Sequence, residues 1–286
     1  MTGFTSRVVA ESTLPDAMFK EMLDYARLAD AAYEDQAHIK SALKPQGYTL
    51  NRFENLPGHE VSYFFATNDA SKLHIIAVRG TANADNALLD VAIQLITNND
   101  IQAQLHEGFA GAAASIYASL KPDLKKGYKI RITGHSLGGA VAMILAMYLD
   151  VDSYPVDRVV TFGQPKVTNI TGALRFSGLD IWRVVTEQDV VPLLPPLDPL
   201  DINKLDIYWH IGREIILLEG AQYSVASNME SMLRATKFLN KVPSENYLLH
   251  HQMSYYLRLL EAKQNGAQQV PYQNDFSIFS IFNSSE

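Results

Sequence analysis

The chain predicts an α/β fold, a mainly parallel central sheet with helices on both faces. Three observations carry this. Strand-length runs rich in β-branched residues alternate with helix-length segments of apolar periodicity, the pattern of a parallel sheet covered on both sides. Two of those runs, Arg158 to Phe162 and Ile181 to Val185, are short and β-branched in the manner of strands buried on both faces. Finally, Tyr128-Lys-Ile-Arg-Ile-Thr133 passes through Gly134-His-Ser-Leu-Gly-Gly139 into Ala140-Val-Ala-Met-Ile-Leu-Ala-Met147: a strand, a glycine-pinched turn and a helix.

The elements follow in order. Met18, Met22, Tyr25, Ala29 and Ala32 recur at helical spacing between Pro15 and Tyr33 and predict a helix there. Tyr48 to Phe53, Val61 to Thr67 and Leu73 to Val78 read as three strands, and His106 to Leu120 as a helix before the strand–turn–helix just described. A turn-rich segment around Gln164-Pro165 separates the two buried strands. The four prolines within Val190 to Pro199 exclude a helix and point to an ordered loop at the strand ends. Asp206 to Leu218 has the pattern of a hairpin, and Ser227 to Leu239 and Tyr247 to Ala262 have that of helices. The polar tail from Lys263 carries Phe276, Phe279 and Phe282 as anchors to the surface. With no repeat, low-complexity tract or linker, one domain over 1–286 is expected.

The turn carries chemistry. One serine at its tip, flanked by Gly134, Gly138 and Gly139 where a Cβ would collide, is the nucleophile elbow of an α/β-hydrolase fold. It names Ser136 as nucleophile and the backbone N–H of Leu137 as one oxyanion donor. A serine hydroxyl needs a histidine to take its proton and a carboxylate to orient that histidine, in the chain order Ser, acid, His. Glu187 and Asp189 stand at the end of a strand. Asp189, just before the apolar Val190-Val191-Pro192, suits a buried carboxylate better than Glu187, which is expected in solvent. Of His210, His250 and His251, the pair lies where a base belongs. Adjacent helical residues point about 100° apart, so only one can face Ser136; His251 is preferred, with His250 the alternative. His210 is expected to bond a loop carbonyl, and His135 to pack beside the sheet. Ile75-Ile-Ala-Val-Arg-Gly-Thr81 ends a strand in a turn, and the Thr81 N–H, helped by its hydroxyl, can aim at the same spot as that of Leu137 as a second oxyanion donor, a group typically worth ~3 kcal/mol of barrier lowering. Taken alone, the segment reads as well or better as a strand-ending turn with nothing to bind.

Composition narrows the partners. With 47% hydrophobic and 19% charged residues, the 286-residue chain can bury a large core. A net charge of -7 argues against nucleic acid and against charge-driven docking on anionic membranes. There is no cysteine, so no disulfide and no thiol chemistry. Neither a signal peptide nor a bilayer-length apolar run is visible, which reads as a soluble protein, cytoplasmic or exported by a signal-independent route. No metal and no organic cofactor is implied, and Asn98-Asn-Asp100 reads as a solvated loop.

Together these segments resemble the class 3 lipases, the family of fungal triacylglycerol lipases and their bacterial relatives, over about Tyr25 to Leu260. The markers are Arg79-Gly-Thr81 with Asn86 and Asp90, His106-Glu-Gly-Phe109, Gly134-His-Ser-Leu-Gly-Gly139, Thr161-Phe-Gly-Gln-Pro165, Asp189-Val-Val-Pro192 with Leu194-Pro-Pro196, and His251 with Met253 and Tyr256. The resemblance implies an α/β-hydrolase with Ser136, Asp189 and His251 as triad and Thr81 and Leu137 at the oxyanion hole. It implies a short amphipathic lid helix over Asn83 to Ile96, its apolar face formed by Ala87, Leu88, Val91, Ala92 and Leu95. Met229, Met232, Leu233, Thr236 and Leu239 are candidates for an acyl-binding wall, although core packing explains them as well. At Ala87 the family often has tryptophan, and its secreted fungal members have disulfides that this chain lacks. The expected activity is hydrolysis of acylglycerol esters through an acyl-enzyme, on a lipid or ester substrate at a lipid–water interface. A phospholipase or a short-chain or feruloyl-type esterase is the alternative, and a non-catalytic lipase-like binding protein a further one.

Overall fold

A computed structural model of the chain describes residues 13–58, 61–80, 94–195, 207–236 and 249–272. Helix α1 (Asp16–Ala31) follows Pro15, whose fixed φ suits a helix start, and buries the stripe Phe19, Met22, Tyr25, Ala26 and Ala29 at steps of three and four. Helix α2 (Gln36–Leu43) is capped by Asp35, whose carboxylate accepts the N–H groups of Ala37 and His38. Strands β1 (Thr49–Leu56), β2 (Val61–Asn68) and β3 (Leu73–Arg79) then form an antiparallel meander.

After a hairpin of β4 (Leu95–Asn98) and β5 (Ala103–His106), the chain alternates. It runs through α3 (Glu107–Leu120), β6 (Lys129–His135), α4 (Leu137–Val151), β7 (Val156–Phe162), β8 (Thr168–Asn169), α5 (Ile170–Arg175) and β9 (Ile181–Thr186). Strands β10 (Tyr208–Trp209), β11 (Arg213–Leu217) and β12 (Gln222–Ala226) follow, then α6 (Asn228–Thr236), α7 (Met253–Glu261) and β13 (Gln268–Gln269). The main sheet has the order β1-β2-β3-β6-β7-β9-β11-β12-β13, with β3, β6, β7, β9 and β11 parallel at its centre. Side chains alternate across it. Ile75 and Ala77 join the core under α1 and α7, while Ile76 and Val78 join the core under α3 and α4. This is the expected sheet with helices on both faces. Among the described residues, no helix is long and apolar enough to cross a membrane.

Several local expectations are corrected. The hairpin expected over Asp206–Leu218 is absent as such. Tyr208 and Trp209 pair with β8 in a separate sheet, and the hairpin is β11–β12, turning at Gly220 with φ +60°. That separate sheet, in the order β10-β8-β5-β4, was not expected because its strands have only two to four residues and, apart from the β4–β5 hairpin, pair across long sequence distances. Residues 83–93 of the expected lid helix lie outside the described residues; its last two, Leu95 and Ile96, are in strand β4. A single 3-10 turn, Val191–Leu193, sits within the proline-rich loop. The expected helix over Tyr247–Ala262 is interrupted at Gln252, whose backbone is extended (φ -69°, ψ 140°). In α6, Met229 is exposed and Met232 buried in the core, while the side chains of Leu233, Thr236 and Leu239 lie outside the description. So do Phe276, Phe279 and Phe282 of the tail.

Candidate active site

Ser136 joins β6 to α4 with φ +57° and ψ -133°, a conformation that costs an L-residue about 1–3 kcal/mol and persists only where its surroundings enforce it. The surroundings are the flanking glycines. A Cβ on Gly134 would lie 2.5 Å from the Gly138 carbonyl oxygen, so strand and helix close up as expected. Gly138 has a second role. A Cβ there would come within 2.3 Å of the Val78 carbonyl oxygen, so this glycine lets the end of β3 press onto the elbow. The Ser136 N–H donates to the Phe162 carbonyl (2.9 Å), which ties the elbow to β7 and leaves the hydroxyl free to face away from the sheet.

The side chain meets His251. Ser136 Oγ lies 2.8 Å from His251 Nε2, and His251 Nδ1 lies 2.8 Å from Asp189 Oδ2. All three are buried. With Nδ1–H donating to the carboxylate, Nε2 is left as acceptor for the serine proton. His250 points elsewhere: its ring packs on Tyr255 (centroids 4.3 Å) and its carbonyl accepts from Thr186 Oγ1. Glu187 is exposed and Asp189 wholly buried, as the flanking residues predict. Burial alone would raise the Asp189 pKa. His251, the Tyr256 hydroxyl (2.5 Å to Oδ2) and the Val191 N–H (2.9 Å to Oδ1) outweigh it and hold the carboxyl below its ordinary range.

Two residues named in the sequence only as motif members acquire roles. Tyr256 donates to the same carboxylate oxygen that faces His251. Gly163, in Thr161-Phe-Gly-Gln-Pro165, has φ +58°, and a Cβ there would lie 2.8 Å from Asp189 Oδ2 and 2.9 Å from His251 Nδ1. A side chain at 163 would enter the acid–base contact. The next residues hold the acid loop. The Lys166 ammonium donates to the carbonyls of Leu193 and Pro195 (2.8 Å to the latter), and its own N–H to that of Leu194 (2.8 Å). Burial, reinforced by Arg183, lowers the Lys166 pKa to about 7. His210 Nε2 donates to the Pro192 carbonyl (2.7 Å), the loop bond expected of it.

The oxyanion side is described up to Gly80. Leu137 opens α4, so its N–H has no acceptor within the helix. A Cβ on Gly80 would sit 3.3 Å from Leu137 N and 3.0 Å from Gly138 N, which places the turn after β3 directly against these amides. Thr81 lies outside the described residues. Among the described residues, no group of three or more His, Asp or Glu side chains is arranged to hold a metal ion. Asn98 accepts the Ile101 N–H and donates to Tyr148, so it braces a turn.

A family model described as "Lipase (class 3)" matches residues 75–198, the stretch that holds the elbow, the acid and the turn after β3. That stretch, 124 of the 286 residues, is similar to the class 3 lipase family. A Fusarium solani protein named secreted mono- and diacylglycerol lipase 1 is 33% identical over 147 residues, 48% of this chain and 44% of that protein. A Rhizopus niveus lipase is 26% identical over 212 residues, 66% of this chain and 53% of its own length. The chain thus spans about half the length of the curated relatives it matches. In structure, lipase II from Rhizopus niveus superimposes with a TM-score of 0.68 at 21% identity, covering 83% of this chain and 94% of that one. That likeness establishes the shared α/β-hydrolase fold.

Proposed function

We propose that this chain is a serine hydrolase that cleaves carboxylic esters of acylglycerols, with Ser136 as nucleophile, His251 as base and Asp189 as the orienting acid. One observation carries the reading: Ser136, His251 and Asp189 form an unbroken line of 2.8 Å contacts on a strained elbow. Ser136 Oγ attacks the ester carbonyl while His251 Nε2 takes its proton. The N–H groups of Leu137 and Thr81 stabilise the oxyanion. The tetrahedral intermediate expels the alcohol, which receives the proton from His251, and leaves an acyl group on Ser136. Water then gives its proton to His251 and attacks the acyl carbon. Collapse releases the fatty acid and returns the proton to Ser136. Asp189 stays ionised and stabilises the imidazolium formed at each step. The single domain expected over 1–286 carries the reaction, with the substrate taken from a lipid–water interface. The name of the Fusarium solani relative adds mono- and diacylglycerols as substrates to try first.

The test is tributyrin hydrolysis by pH-stat across the solubility limit, for wild type and Ser136→Ala. The expected result is hydrolysis by wild type and a loss of at least ~10⁴-fold in the variant. A rate jump above the limit marks interfacial action. Activity on phosphatidylcholine or feruloyl esters in place of tributyrin would move the substrate class and keep the mechanism. Equal rates in both proteins would remove Ser136 from it.

A further inference from the structure

His135, one residue before the nucleophile, does more than pack beside the sheet. Its Nε2 lies 2.6 Å from the backbone carbonyl oxygen of His251, and its Nδ1 lies 2.8 Å from the Tyr33 hydroxyl. A carbonyl can only accept, so Nε2 carries a proton. Burial, with the neighbouring His251 adding to it, holds the His135 pKa down to about 3, so the ring is neutral and Nδ1 has none. The Tyr33 O–H is therefore the donor to Nδ1. The backbone of Gly80, in the turn after β3, lies beside the Tyr33 hydroxyl and works against the rise that burial gives its pKa. One directed chain results: Tyr33 O–H to His135 Nδ1, and His135 Nε2–H to the His251 carbonyl. Every donor in it has one acceptor, and no other tautomer of His135 satisfies both neighbours.

The chain spans the parts that must keep register during the reaction. At one end is Tyr33, just after α1, and at the other is the backbone of the proposed base. His135 itself adjoins Ser136, and its ring packs on that of His251 with centroids 4.6 Å apart. We propose that Tyr33 and His135 are positioning residues, which tie the His251 backbone to the end of α1 through two hydrogen bonds so that the base keeps its place over Ser136. This rests on the reading of Ser136 and His251 as the reacting pair. Tyr33 reaches the site from the end of α1, a hundred residues before the elbow, and touches no reacting atom. Misplacing a catalytic group by about 1 Å can cost ~10²-fold in rate, so a chain of this kind is felt in turnover before it is felt in binding.

The experiment compares wild type with Tyr33→Phe, His135→Gln and the double variant on p-nitrophenyl butyrate, with fluorophosphonate titration of active sites. Tyr33→Phe removes one hydroxyl and keeps the ring. His135→Gln keeps a donor for the His251 carbonyl and loses the acceptor for Tyr33. The expected result is a fall in kcat of about tenfold in each single variant with KM within about twofold, and no further fall in the double variant, because both changes cut the same chain. Long-range ¹H–¹⁵N spectra of the histidine rings give an activity-free readout. They should show His135 neutral with its proton on Nε2 in wild type, and a shifted Nδ1 resonance in Tyr33→Phe. Wild-type kcat in Tyr33→Phe, strictly additive losses, or a proton on His135 Nδ1 would overturn the proposal. A wild type that neither hydrolyses esters nor is labelled on Ser136 would instead overturn the reading beneath it, and the positioning role with it.

Discussion

Two carboxylates are buried to the same degree in neighbouring parts of this molecule, and they are held in opposite ways. Asp189 faces an imidazole, a phenol and a backbone N–H. Glu214 faces two guanidinium groups: Arg183 donates to Oε2 (2.8 Å) and Arg234 to Oε1, with the Ser231 hydroxyl also on Oε2. The sheet register sets the second site, since Arg183 of β9 and Glu214 of β11 are direct partners across parallel strands. Burial raises the Glu214 pKa, and Arg234 and then Arg183 reverse this, so the carboxyl is held well below its usual range. Glu214 is locked to permanent charges, whereas Asp189 is held by an imidazole, a phenol and a backbone N–H. Arg234 also donates to the Thr186 carbonyl (3.3 Å), so the locked cluster braces the strand end from which Asp189 projects. One carboxylate serves the architecture, and the other is the orienting acid of the proposed mechanism.

This contrast can be broken experimentally. Asp189→Asn removes the carboxylate that accepts from His251 Nδ1 and keeps the side chain's size. We expect kcat to fall by about 10⁴-fold with little loss of unfolding free energy. Glu214→Gln should do the reverse. It leaves Arg183 and Arg234 buried without a counter-charge, at about 3–5 kcal/mol of stability, while the folded fraction keeps its turnover. Urea unfolding and kcat measured on the same samples check both, and a Glu214 variant as stable as wild type would collapse the distinction.

Gly163→Ala sharpens the chemical side. The new methyl would enter the Asp189–His251 contact on a backbone with φ +58°. About 10²-fold in kcat is the expected loss, larger than any change in KM. Wild-type turnover in this variant would mean that the acid–base pair tolerates displacement.

The smallest effect separates the two regions by pH. Each holds a buried neutral histidine: His135 at the site, and His210 beside the ion cluster, its pKa pushed down by burial and then by Arg183. Their unfolded pKa is ordinary, near 6.5, and their folded pKa is depressed. Between those values the unfolded chain binds a proton that the native one refuses, so stability falls as pH drops from 7 to 5. The loss should be of order 1–2 kcal/mol for each histidine. Asp189 and Glu214 lose their contribution only as pH falls further, below the ordinary carboxylate range. Urea melts at pH 7, 6 and 5 should show the slope, and His210→Gln should flatten part of it; a pH-independent midpoint would show that these rings do not stay neutral.

What the sequence made legible was local. The elbow, its parallel strands and the helices flanking it follow from glycine placement and periodicity within about twenty residues. Asp189 over Glu187, and a structural His210, followed from flanking chemistry. What it hid was assembled over long distances. The partners of the second sheet are short strands with no periodicity to read, and the β11–β12 hairpin was obscured by taking Leu218 as its end when Glu219-Gly220 is its turn. Arg183 stood as a charge within an apolar strand, a visible sign of a buried partner, but nothing local identified Glu214. Gly163 and Tyr33 are unremarkable until folding brings them against Asp189 and His135.

The most direct test of the account is the site and rate of fluorophosphonate labelling in folded protein, read by peptide mass mapping for wild type and Asp189→Asn. The account predicts a single adduct on Ser136 that forms at least ~10³-fold more slowly when Asp189 no longer orients His251. No adduct, an adduct on another serine, or equal rates in the two proteins would contradict it.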